Sequence, residues 1–135
     1  MSEQLPLFSY NVWIKGPRGG HVYREDYIYR YVDEAVDILN LDKGQEFDIH
    51  VTVYKKFPEE YNSAYGMCYG DDVEVEIDLS REDITFDFMM QTLSHEMIHA
   101  KQAIENRTMY EAEANKGELF LHNRIQERLG GRVVM

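Results

Sequence analysis

Residues 95 to 99, His95-Glu96-Met97-Ile98-His99, spell H-E-x-x-H inside a longer segment, Phe86 to Glu105, whose apolar spacing predicts a helix. Four residues advance an α-helix by about 400° and roughly 6 Å, so the two imidazoles leave one face a turn apart. They can share one tetrahedral metal ion. Glu96 leaves the helix about a quarter turn away, where a carboxylate reaches a metal-bound water rather than the metal, the place of a general base.

With five His and fifteen Glu in 135 residues, chance supplies roughly 0.02 such motifs per chain. The flanking residues raise the weight of the match. Phe86, Phe88, Met89, Met90, Leu93, Met97, Ile98 and Ala100 predict a helix that buries most of its girth, and Ser94 to Ala103 holds no Gly or Pro to break it. Two His and a Glu on a buried helix need partners. The competing expectation satisfies both imidazoles with ordinary hydrogen bonds and puts Glu96 at the surface.

A chain of 135 residues is long enough to close one hydrophobic core, and a single domain over 1–135 is expected. Neither a long apolar run nor a charged-then-apolar start suggests a membrane span or a signal peptide, so the expectation is a cytoplasmic protein with no membrane partner. Cys68 is the only cysteine, which excludes an intrachain disulfide and a Cys-rich zinc ribbon. Any metal would rest on His and carboxylate. The net charge of −11 and pI near 4.8 repel phosphate, so no nucleic-acid partner is expected. The acidic stretch runs through Glu59, Glu60, Asp71, Asp72, Glu74, Glu76, Asp78, Glu82 and Asp83. It suits a basic peptide or protein partner, or simply solubility.

Outward from the motif, Leu7 to Lys15 reads as a first strand closed by Gly16-Pro17-Arg18-Gly19-Gly20. Tyr27, Tyr31, Ala35 and Ile38 predict a helix over about 24–40. Phe47, Ile49, Val51 and Val53 alternate with polar residues in a half-buried strand. After a connection at 58–62, short strands are expected at 63–69 and, with an acidic outer face, at 73–79. Asp83 or Thr85 would cap the motif helix, Asn106-Arg107 would end it, and a last helix would run from about Met109 to Leu129, stopped by Gly130-Gly131. This order is α+β: a helix and a small mixed β-sheet packed on the H-E-x-x-H helix, followed by a C-terminal Glu-bearing helix.

A hydrolytic zinc ion needs a third protein ligand. Glu105 could serve only if the helix bent sharply, and Gln102 stands where a Gly would be wanted for that bend. His122 lies far down the last helix. Glu111-Ala112-Glu113-Ala114-Asn115 is the favoured region, because its small residues permit close approach of the helices. Glu111 and Asn115 share a face, so one can bind metal while the other hydrogen-bonds a histidine. Two alternatives stay open. Thr108-Met109-Tyr110-Glu111 is also a capping box that would turn Glu111 back on Thr108, and a tight hairpin at 106–107 would bring Glu113 to Glu118 opposite His99.

Over about 91–118 the chain resembles the gluzincin metallopeptidases, whose H-E-x-x-H helix is followed by a helix with Glu, then a small residue three positions on and an acid four positions on. Glu111, Ala114 and Asn115 match that pattern, with Asn in place of the acid. The resemblance implies a zincin-like fold, Zn2+ on His95, His99 and Glu111, and Glu96 as the base that activates water for peptide-bond hydrolysis. It also implies an edge strand, 63–69 or 73–79, that holds an extended substrate, and an oxyanion donor, for which Tyr65, Tyr69 and Tyr110 are candidates. The rival expectation, motivated by charge, is an acidic protein-binding or inhibitor module with a structural or vestigial metal site.

Overall fold

The structure is a computed structural model that describes residues 10–42, 45–62 and 65–130. The expected strand residues 7–9, the positions 63–64 and the Gly131 of the helix stop lie outside the described residues. The described chain is α+β, with three α-helices and one mixed four-stranded sheet. None of those helices is long and apolar enough to cross a membrane.

Strand β1, Tyr10–Lys15, leads through a short 3-10 turn into helix α1, Glu25–Ile38. Ile28, Tyr31, Val32, Ala35 and Val36 line the buried stripe of α1 at the three-four spacing seen in the sequence. Strand β2, Phe47–Tyr54, buries Phe47, Ile49, Val51 and Val53 on one face, as its alternation predicts. Strands β3, Gly66–Gly70, and β4, Glu74–Ser80, form an antiparallel pair. Gly70 turns the corner at φ 124°, where a Cβ would meet the Glu74 carbonyl oxygen at 2.2 Å.

The strands lie in the order β1-β2-β4-β3, with β1, β2 and β4 parallel. This arrangement corrects one expectation: β4 is interior, so of the two proposed edge strands only β3 is an edge. A second correction concerns Asp78. It belongs to the alternating acidic set of β4, yet only 2% of it is exposed. The hydroxyls of Tyr61 and Tyr69 donate to its carboxylate, so two tyrosines cover a position that alternation alone assigns to water.

Helix α2, Phe86–Ile104, is the motif helix. Thr85 is its N-cap, the side chain accepting from the Phe88 amide. Thirteen of its nineteen residues are buried, so its partners surround it. Met90, Leu93 and Met97 are wholly buried in the core, each burial favouring the fold by about 1.5–3 kcal/mol. Helix α3, Glu111–Arg128, returns along α2 and ends at Gly130, whose φ of 93° stops it as the sequence predicts. The close approach of α3 shows at Gly117, where a Cβ would stand 3.0 Å from Ile98 Cδ1. Ala114 is wholly buried in the same seam.

Candidate metal centre

His95 and His99 project one turn apart from α2, their ring centroids 5.0 Å apart. Glu111, at the first position of α3, sets Oε1 2.6 Å from His95 Nε2 and 2.9 Å from His99 Nε2. One ligand atom from each of the three residues lies within 4.8 Å of the others. The expected alternatives for Glu111 do not form. Tyr110, not Thr108, is the N-cap of α3, so the capping box is absent and the Glu111 carboxylate faces the histidines. Glu113 pairs with Arg107 at 3.0 and 3.2 Å, and Glu105 with Lys101 and Arg107, which takes both away from the cluster. His122 bridges the Tyr31 hydroxyl and Asp87 in the core.

Two residues that sequence reasoning did not assign orient the rings. His95 Nδ1 lies 2.7 Å from Glu118 Oε1, and His99 Nδ1 lies 2.8 Å from Gln102 Oε1. Asn115, expected to hold a ring, lines the neighbouring groove instead and bonds neither ring among the described residues. The reason is reach: Glu118 is two turns beyond Glu111 on the same face of α3, where its longer side chain meets Nδ1. That seven-residue spacing is readable in the sequence. Gln102, three residues past His99 on α2, was readable too, as a polar residue on an otherwise apolar face.

Gln102 is fully buried. Its Nε2 donates to the Tyr110 carbonyl and to Glu113, while its Oε1 accepts from the Tyr110 amide. These bonds fix the direction of the side-chain amide, so Oε1 faces His99 and the proton of that ring belongs on Nδ1. Glu118 is placed to accept from His95 Nδ1 in the same way. With one proton each, both rings turn an Nε2 lone pair toward the single Glu111 oxygen. Three lone pairs converging on one point repel unless positive charge sits among them, as two extra ring protons or as a cation. Burial alone would lower the pKa of His95, but Glu118, Glu96 and Glu111 outweigh it and raise the value. Burial acts to raise Glu111, and its contacts with His99 and His95 outweigh that and lower it.

Glu96 sits beside this cluster, 5% exposed, and burial, only partly opposed by His95 and His99, pushes its pKa up from 4.5 to about 7. The competing expectation of a surface Glu96 is thereby corrected: the sheet edge covers it. Gly66 at the start of β3 makes this possible, since a Cβ there would stand 2.7 Å from Thr92 Cγ2 and 3.1 Å from Glu96 Oε2. Two cavities, of about 270 and 410 Å³, share Gly66, His95, Glu96 and Glu111. They form a groove between β3 and the start of α3. Of the tyrosines considered as oxyanion donors, Tyr65 lines that groove. The Tyr69 hydroxyl is bonded to Asp78 on the far side of the sheet, and Tyr110 is 62% exposed at the head of α3.

A second trio, Asp48, His50 and Glu74, also brings ligand atoms within 4.8 Å, but on the uncovered face of the sheet with the Glu74 side chain 59% exposed. Comparison with protein-family models, curated proteins and solved structures finds no match to this chain.

Proposed function

We propose that the chain is a minimal zincin-like, gluzincin-type metallopeptidase whose zinc ligands are His95, His99 and Glu111. The observation that carries the reading is the convergence of two Nε2 lone pairs and one carboxylate oxygen within 4.8 Å, next to a buried carboxyl group that is not part of the set. Neutral imidazole nitrogen and carboxylate oxygen are the donors zinc takes, and three of them leave a position open. Zinc bound there would supply Lewis acidity, polarising a carbonyl and making water a nucleophile near neutral pH.

The chain's own groups account for the rest. Glu96, with its pKa near 7, is matched to take a proton from water and return it to the departing amine. Glu118 and Gln102 hold the rings in the Nδ1–H tautomer, keeping both Nε2 atoms free as donors. The free edge of β3 borders the groove and offers unpaired main-chain groups to an extended peptide. Gly66 on that edge keeps a side chain from displacing Glu96.

Zinc content and cleavage of a mixed peptide library, read by mass spectrometry, test the reading. About one zinc per chain should be lost in His95→Ala and retained in Glu96→Gln, and only the parent should cleave. A parent that binds no zinc, or a Glu96→Gln variant as active as the parent, would overturn it.

A further inference from the structure

Because β1, β2 and β4 are parallel, their carboxyl ends, Lys15, Tyr54 and Ser80, lie along one side of the sheet. Ligands of open sheets with parallel strands collect on that side. Two cavities occur there. One, of about 130 Å³, is walled by Tyr23, Ile84, Phe86 and Met89. The other, of about 390 Å³, is bounded by the Gly16–Gly20 loop, His21, Lys55 and Lys56. Val53 and Arg81 line both, so a largely apolar cavity and a basic one adjoin at these two residues.

The charge is the unusual part. The chain carries 25 Asp and Glu, yet neither cavity has one in its lining. Lys56 meets Glu82 at 3.8 Å, while Lys55 and Arg81 have no carboxylate partner among the described residues. Arg24 adds a further cation, its guanidinium 4.7 Å from the Phe86 ring centroid. Lys55 and Arg81, which no carboxylate pairs among the described residues, repel other cations of the cleft, and an anion seated among them relieves that repulsion. The narrow loop beside them is held by the Gly16 amide donating to the Gly20 carbonyl at 3.2 Å.

We propose that this cleft binds a small organic anion, its acidic head between Arg81, Lys55 and His21 and its aromatic or aliphatic body in the pocket under Tyr23 and Phe86. The site shares no lining residue with the groove at His95 and does not depend on metal there.

Naphthalene-1-sulfonate titrated into the full chain, followed by amide chemical shifts, tests it. Saturable shifts should appear at Tyr23, Arg81, Ile84 and Met89. Affinity should fall at least about tenfold in Arg81→Gln and for the neutral analogue naphthalene-1-sulfonamide. Arg81→Gln removes an exposed side chain, and the backbone bond from its amide to the Tyr54 carbonyl is kept, so the fold should persist. The proposal is overturned by the absence of saturation in the ten-millimolar range, by equal binding of the neutral compound or of Arg81→Gln, or by shifts centred on His95 and Glu111. None of these outcomes bears on peptide cleavage, so this site and the proposed peptidase stand or fall separately.

Discussion

Glu118 Oε1 lies 2.7 Å from His95 Nδ1, and the two residues sit on different helices. With a metal ion on Nε2, the ring's one proton would sit on Nδ1 and be held there by Glu118. Glu118→Ala should therefore weaken zinc binding about 10- to 100-fold, and Glu118→Gln, whose Oε1 can still accept, by less. Competition with a chromophoric chelator measures both. Equal affinities in the parent and Glu118→Ala would remove the orienting role.

Gln102 carries several jobs in one buried side chain, bonding the Tyr110 amide and carbonyl, Glu113 and His99. Gln102→Leu has similar bulk and none of the bonds. It should cost about 2–4 kcal/mol by leaving those buried groups unpaired, and the head of α3 should exchange amide hydrogen faster. Chemical denaturation with hydrogen exchange reads both, and a variant as stable as the parent contradicts the clamp.

Gly66→Ala places a methyl group against Glu96 and Thr92. The expected result is zinc binding close to that of the parent with kcat lowered about tenfold or more, since a small displacement of a general base is costly. If zinc affinity falls and kcat does not, Gly66 spaces the metal ligands rather than the base.

The raised pKa of Glu96, about 7 against an ordinary 4.5, arises first from burial and sets the sign of a stability change in metal-free protein. A carboxyl whose folded pKa is raised leaves stability intact below about pH 4.5 and removes it as pH climbs through 7. Metal-free Glu96→Gln should therefore match the parent at pH 4 and exceed it at pH 8 by on the order of 2–3 kcal/mol. Urea melts at the two pH values decide it, and a gap that is the same at both refutes the account.

Local patterns were legible where burial repeats along one element. The alternation from Phe47 to Tyr54, the spacing in α1, the Thr85 cap and the stop at Gly130 all read directly, because each depends on residues only a few positions apart. His95, Glu96 and His99 were legible for the same reason. Strand order was not, since the acidic alternation of β4 looks like an edge but its neighbours β2 and β3 are settled by tertiary packing. Glu111 was ambiguous because a capping box and a cluster contact compete for one side chain. Gln102 resolves it from a distance by holding Tyr110 at the N-cap, an arrangement no local pattern announces.

All three proposed ligands fall within one helical hairpin, with fifteen residues between His95 and Glu111. Joining them closes a short loop, whose entropic cost is small, and α2 already lays both rings on one side. An ion seated there would tie α2 to the head of α3 without gripping the sheet. Chelation should accordingly loosen protection of α3 amides against hydrogen exchange while the central strands β2 and β4 keep theirs, so that the hairpin breathes as a latch on an otherwise settled body. Uniform loss of protection across the sheet would show instead that ion and core form one cooperative unit.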